Sequence, residues 1–350
     1  MRVWEDFDRI GATGLGYNTG NHTARLRPIE TPATSMLLRQ FRSFHVRHFP
    51  DDMERLIEYF AVFGGLGWEI DIDAPLETLI TDIVLENYGH LYNEIARRAT
   101  EDRSYHRLLS AVAIGDRRMY SAFRRAGMNE AKGGQVLGYL RDAGILEMEY
   151  SREAPPVRDY PKQKLKREVA RHRISHKARF TSPFLRFWFY FIAPMHRDIE
   201  QGRYDAVLER FQERHQAFTG FVFEELSNLF LERMHQEDPI VDSGSYWDRQ
   251  VEIDIFAQTS NGRTIVGECK WTNHKVNKSE LTKLLGKCES VELQPDVVAL
   301  FCKRGFSKEL EQMKGAELEL YSAKDFEWLL QGVTSQELIR GYEKPEPFAD

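Results

Sequence analysis

Apolar residues recur at helical spacing from Met53 onward, with Leu56, Ile57, Phe60 and Ala61 on one face, until Phe63-Gly64-Gly65-Leu66-Gly67 breaks the pattern. A second helical pattern runs from Leu76 to Tyr88 and continues towards Ala99. Three shorter ones follow. They run from Tyr105 to Ile114, stopped by Gly115-Asp116; from Met119 to Ala126, stopped by Gly127; and from about Glu130 to Asp142, with Gly144 as the capping glycine. The period then drops to two across Ile145 to Tyr150, which predicts a strand whose hairpin partner is His172 to Phe180. Three short helices and a hairpin predict a winged helix-turn-helix over about 104–180. Residues 1–50 are poorly readable. Gly11-Ala12-Thr13-Gly14-Leu15-Gly16 is followed by no Gly-Lys-Ser/Thr, so a loop is expected there and not a phosphate-binding turn.

Farther along, the run from Phe184 to Pro194 is too short to cross a bilayer and carries Arg186, so it predicts a buried aromatic linker helix within residues 183–203. Tyr204 to Phe218 predicts a helix, and Thr219-Gly220 leads into another over Phe221 to Leu231 that is strongly apolar yet holds Glu224 and Glu225. Strand-like segments follow at Ile240 to Asp242, Ser245 to Asp248, Gln250 to Ala257 and Thr264 to Trp271. Ser260-Asn261-Gly262-Arg263 supplies the turn between the last two. A helix over about Ser279 to Val291, an apolar strand Val297 to Phe301, a helix near Ser307 to Met313, a strand Glu317 to Tyr321 and a helix Lys324 to Leu330 complete the pattern.

Composition changes this picture little and charge changes it more. The 350 residues are 42% hydrophobic and 29% charged, which is ordinary for a globular protein with room for two or three domains. The net charge of −6 argues against a uniformly basic, nucleic-acid-coating protein. Residues 158–179, however, hold nine Lys/Arg against two acids, a local +7 that leaves −13 for the rest of the chain. Lys162, Lys164, Lys166, Arg167, Arg171 and Arg173 make this stretch a candidate basic wing lying on DNA phosphates, with Lys132 and Gln135 of the third helix as further contacts. The plain alternative is a solvated linker. Cys269, Cys288 and Cys302 match no zinc spacing and are expected to be reduced core thiols. The first residues contain no apolar signal-peptide core, so a cytoplasmic protein with no membrane partner is expected.

The candidate chemistry sits in the strands after Pro239. Asp254 stands between Ile253 and Ile255, both expected to point to the other face of the strand. On the returning strand Glu268 and Lys270 share a face, roughly 6.6 Å apart, while Cys269 points away. Two carboxylates and the Cys269 carbonyl, with waters completing the shell, suit Mg²⁺ or Mn²⁺. The Lys270 ammonium can orient or help deprotonate an attacking water and stabilise phosphoryl charge.

These residues resemble the PD-(D/E)XK nuclease superfamily, and most closely the domain at the C-terminal end of archaeal and bacterial DEXX-box ATPases. The resemblance rests on Gly220-Phe221-Val222-Phe223-Glu224, Trp247-Asp248-Arg249, Glu252-Ile253-Asp254-Ile255 and Gly267-Glu268-Cys269-Lys270-Trp271, with Phe184 to Phe189 similar to the family's linker helix. Ser182 stands where an Asp is usual, and the ATPase motifs themselves are missing. The resemblance implies an α/β and α fold, a helical winged helix-turn-helix region followed by a restriction-endonuclease-like αβββαβ core. It assigns Asp254, Glu268 and Glu224 to the metal and Lys270 to catalysis, with Glu225 as the weaker substitute for Glu224.

The expected organisation is an unread segment at 1–50, a helical region at 51–182, the aromatic linker at 183–203, the nuclease-like unit at 204–335 and a tail at 336–350. The expected activity is Mg²⁺-dependent DNA endonuclease on duplex or branched DNA, with a homodimer and a separate ATPase as candidate partners. The rival expectations are a non-catalytic DNA-binding or regulatory protein and a docking partner of such an ATPase.

Overall fold

The structure is a computed structural model that describes residues 36–99, 102–153 and 175–332. Its first helix lies in the stretch that sequence left unread: α1 (Met36–His48) sets Leu38, Phe41 and Phe44 into the core. The Asp52 side chain then accepts from the Arg55 amide and starts α2 (Met53–Phe63), where eight of eleven residues are buried. The helix expected over 76–99 is divided into α3 (Leu76–Leu79), a π-helical turn (Ile80–Leu85) and α4 (Tyr88–Ala99). Asn87 explains the break, because its side-chain amide donates to the carbonyls of Asp82 and Ile83 at 2.9 and 3.2 Å.

Next come α5 (Arg103–Ile114), α6 (Met119–Arg125) and α7 (Glu130–Asp142), close to the expected bounds. Gly133 lets α7 lie against α6: a Cβ there would meet the Phe123 ring at 2.4 Å, whereas Gly134 faces open space. Strand β1 (Leu146–Glu149) pairs antiparallel with β2 (Lys177–Phe180), Leu146 opposite Phe180. The expected β2 began at His172; residues 172–174 lie outside the described residues, and the pairing runs over four. Beyond β1, Ser151 and Arg152 dock along the edge of the next sheet. The Ser151 hydroxyl donates to the Trp247 carbonyl at 2.6 Å and Arg152 N donates to the Ser245 carbonyl at 3.1 Å, which covers an otherwise open strand edge.

The aromatic linker is helical but not one helix. Ser182 caps α8 (Pro183–Phe187), a π turn (Trp188–Ile192) and a 3-10 turn (Ala193–Met195) follow, and α9 (His196–Glu200) ends it. Ser182 also donates to the Gly64 carbonyl at 3.3 Å, the work of a short polar cap at the position where an Asp was usual. The two helices expected on either side of Thr219-Gly220 are a single one, α10 (Tyr204–Met234). Gly220 does not break it, because Phe218, Thr219, Val222 and Phe223 on either side are buried and tertiary packing outweighs the propensity cost of one glycine.

Strands β3 (Ile240–Trp247), β4 (Glu252–Thr259), β5 (Thr264–Lys270), β6 (Val297–Cys302) and β7 (Leu318–Ser322) form one mixed sheet in that order. The first three are antiparallel; β6 and β7 join parallel after α11 (Lys278–Ser290) and α12 (Lys308–Met313). The two segments expected at 240–242 and 245–248 are one strand interrupted by register shifts, the second between Gly244 and Tyr246. The last expected helix is a 3-10 helix (Ala323–Leu330). All six residues of β6 are buried, as a parallel strand covered on both faces requires. One face packs on α10 through Ile255, Ala257, Ile265, Ala299 and Phe301. The other packs under α11 and α12 through Ile253, Phe256, Val266, Val298 and Leu300.

The first of these cores continues without a break from Leu38 to Leu329, so the helical region and the α/β unit share it. Phe187, Phe191, Phe211 and Phe218 fill its middle, with ring centroids 5.2–6.3 Å apart. Each such burial is worth roughly 1.5–3 kcal/mol.

Candidate active site

The expectation that Ile253 and Ile255 share a face is overturned. Ile253 lies in the core under α11 and Ile255 in the core under α10. The cause is a bulge: between Gly244 and Tyr246 on β3 the partner on β4 advances from Phe256 to Ile253, which gives β4 one extra residue beside Asp254. A bulge swings a side chain out of the regular alternation. The Asp254 carboxylate thereby accepts from the backbone amide of Cys269 on β5, at 2.9 Å.

On β5, Gly267 is obligatory. A Cβ would meet the Ala299 carbonyl at 2.8 Å and the Ile255 Cβ at 3.1 Å. With the strand pressed between β4 and β6, Glu268 and Lys270 emerge together on the α11 face. Lys270 Nζ donates to Glu268 Oε1 at 2.6 Å, and Lys287 Nζ from α11 donates to Glu268 Oε2 at 2.7 Å. Glu280 on the same helix stands 3.7 Å from Lys270. Cys269 points the opposite way, into the core under α10, where burial pushes its thiol up. All three cysteines are free.

The α10 acid is Glu224. Phe223, beside it, packs on Trp271 and Phe326 with ring centroids 4.9 and 5.0 Å apart, and this fixes the turn that carries the carboxylate. Among the described residues no hydrogen bond or ion pair holds that carboxylate. Burial and the nearby Asp254 raise Glu224 well above the usual carboxylate range. Asp254 is pushed up to about 6 by burial and by Glu268. Burial acts to lower Lys270, but its hydrogen bond to Glu268 and the surrounding carboxylates outweigh this and raise it. Glu225 faces elsewhere, 3.6 Å from Arg179.

Glu224, Asp254, Glu268 and Lys270 line one cleft of about 590 Å³, whose other wall is the end of α5 with Arg117 and Arg186. Neither arginine was singled out in the sequence. Arg117 lies in a turn that no periodic pattern marks, with a left-handed backbone (φ 63°), and Arg186 sits inside an aromatic run that predicts only core.

The donor set consists of hard oxygens that repel one another, which is a fit for a divalent cation such as Mg²⁺ or Mn²⁺. The carboxylates are not drawn together: among the described residues no three His, Cys, Asp or Glu side chains group closely enough to hold a metal ion.

Of the expected DNA contacts, Lys132 and Gln135 are exposed on α7. Lys162, Lys164, Lys166, Arg167, Arg171 and Arg173 lie outside the described residues. Within the local +7, two of the nine cations already have acidic partners. Lys177, 1% exposed, pairs with Glu252, and Arg179 pairs with Glu147 at 2.6 Å.

The site thus belongs to an α/β protein with a five-stranded mixed sheet and an appended helical region. Residues 188–283, which include Glu224, Asp254, Glu268 and Lys270, match DUF234, a family described as archaea bacterial proteins of unknown function. No curated protein and no solved structure matches the chain. No helix of the described residues is long and apolar enough to cross a membrane.

Proposed function

We propose that the chain is a metal-dependent nuclease of the PD-(D/E)XK type, acting on DNA that a winged helix positions. The carrying observation is that Asp254 and the Glu268-Lys270 pair meet on adjacent strands at a cleft also lined by Glu224. Asp254, Glu268, the Cys269 carbonyl and, directly or through water, Glu224 would hold Mg²⁺ or Mn²⁺. The cation would supply Lewis-acid polarisation of a phosphoryl oxygen and acidify water. Hydrolysis adds water across a phosphorus–oxygen bond, leaving one phosphate and one hydroxyl end. Lys270 serves this as an ammonium: with its proton held by Glu268, it stabilises negative charge gathering on the phosphoryl group. Glu268, fixed by Lys270 and Lys287, is a prepositioned acceptor.

The winged-helix part of the proposal is supported by three helices, the β1–β2 pair and the single bridge from Arg118 to Lys177. A non-catalytic DNA-binding protein, or a docking partner of a separate ATPase, is the second reading. It is favoured by the carboxylates not being drawn together.

Incubating purified protein with supercoiled plasmid and branched DNA in Mg²⁺ or Mn²⁺ separates the two. Cleavage is expected, and Lys270→Ala and Asp254→Ala are expected to lose it by about 10²–10³-fold while still binding DNA. Salt-sensitive binding without any cleavage supports the second reading. The triple variant Lys164→Glu/Lys166→Glu/Arg167→Glu is expected to weaken binding and flatten its salt dependence; unchanged gel shifts would remove the basic stretch from the interface.

A further inference from the structure

Arg186 is 8% exposed, yet among the described residues it makes one hydrogen bond, to the Phe218 carbonyl at 3.0 Å, and no ion pair. A guanidinium carries five donors, so most of its capacity is unused. Burial without a paired acid pushes it down to about 9. Arg117 lies beside it. Both guanidinium carbons stand 4.0 Å from the centroid of the Phe221 ring, so they are within twice that distance of each other, and each disfavours the other's charge. Arg117 is tethered to Glu149 at 2.7 Å and projects from a left-handed backbone that L-residues disfavour. Both side chains line the cleft that holds Asp254, Glu268 and Lys270.

Two guanidinium groups that share one aromatic ring and line a cleft offer an anion site, where a phosphate oxygen can take the donors that Arg186 leaves free. We infer that Arg117 and Arg186 bind a phosphate group of the nucleic-acid strand, next to the one cleaved. The inference rests on the nuclease reading for the identity of the strand. The helical region would then contribute to the cleft through Arg117, and Phe221 would act as a positioning residue holding both guanidinium planes. The phosphate comes either from a strand's 5′ end or from an internal diester.

Binding of inorganic phosphate to the full chain, metal-free in EDTA, is read by calorimetry. Saturable binding is expected, weakened at least tenfold by Arg186→Gln and less by Arg186→Lys, which keeps charge but not the planar stack. Arg117→Gly removes the second guanidinium while relieving the left-handed backbone; it is expected to stay folded by thermal melt and to lose at least tenfold. Lys278→Ala, an exposed lysine outside the cleft, is expected to bind as the parent does. Competition by a 5′-phosphorylated thymidine dinucleotide alone assigns the site to a terminal phosphate. Competition by the unphosphorylated dinucleotide as well assigns it to a diester. Absent saturable binding, equal binding by parent and folded arginine variants, or competition by neither dinucleotide overturns the inference. Loss of metal-dependent cleavage does not bear on it, because the binding is measured without metal; conversely, cleavage with no phosphate binding leaves the nuclease reading intact.

Discussion

At the residue scale the cleft holds more like charge than it neutralises, and this has a measurable sign. Asp254, pushed up to about 6 by burial and Glu268, takes a proton more readily folded than unfolded. Glu225, pushed up to about 7 chiefly by burial, behaves alike. An acid whose folded value is raised contributes stability only while protonated, so these two acids favour the fold less as pH rises from about 4 through 7, while His48, lowered to about 4 by burial, acts in the opposite direction. The difference in melting temperature between Asp254→Asn and the parent, recorded against pH in EDTA, should grow across that window, and saturating Mg²⁺ should raise the parent at its upper end. Asp254→Asn at pH 7.5 without metal should gain on the order of 1–2 kcal/mol, an increase of a few degrees, while losing cleavage. A difference that stays flat across the same window would show that Asp254 is compensated in some other way.

At the element scale, what sequence revealed and what it hid follow from where each signal resides. Helix α7 was legible to the residue because Asn129, Glu130 and Gly144 are local punctuation, and the Ser260–Arg263 turn was legible for the same reason. Asp254, Glu268 and Lys270, which line one cleft, were picked out by type and spacing. The bulge that aims Asp254 was not, because a register shift is a property of two strands and β4 alone carries no mark of it. Arg117 and Arg186 escaped because only folding brings α5, α8 and α10 to one cleft. Gly220 misled as a breaker because the packing of its buried neighbours Phe218 and Phe223 across the fold carries the helix through it.

The Gly133-Gly134 pair offers a clean test of the same distinction. Gly134→Ala, in open space on a helix, should stabilise by about 0.5–1 kcal/mol. Gly133→Ala should destabilise by about 1–3 kcal/mol because Phe123 must move. Denaturant unfolding of the two variants reads both, and equal effects would remove the packing role given to Gly133.

At the scale of the whole molecule, the expected division at residue 204 separates a helical region from a sheet that share one core. Helix α10 serves both sides: Phe211 and Phe218 pack among the linker aromatics, while Phe223 and Phe230 pack towards Trp271, Phe301 and Phe326. Arg42 of α1 donates to the Leu329 and Gln331 carbonyls at 2.7 and 3.0 Å, tying the first described helix to the end of the last. A fragment of residues 204–332 should therefore be unfolded or aggregated, and the full chain should melt in one transition. Two separate transitions, or a folded fragment, would contradict a shared core.

The seam at Lys177 carries a mechanical consequence. Ser175 accepts from the Trp247 indole at 3.0 Å, and Lys177 grips Glu252, which stands two residues before Asp254. The chain that leaves the basic stretch is thus clamped to the root of the strand carrying a cleft acid. A pull entering the fold at Ser175 would reach the root of β4 through Lys177 and Glu252, as a lever arm reaches its fulcrum.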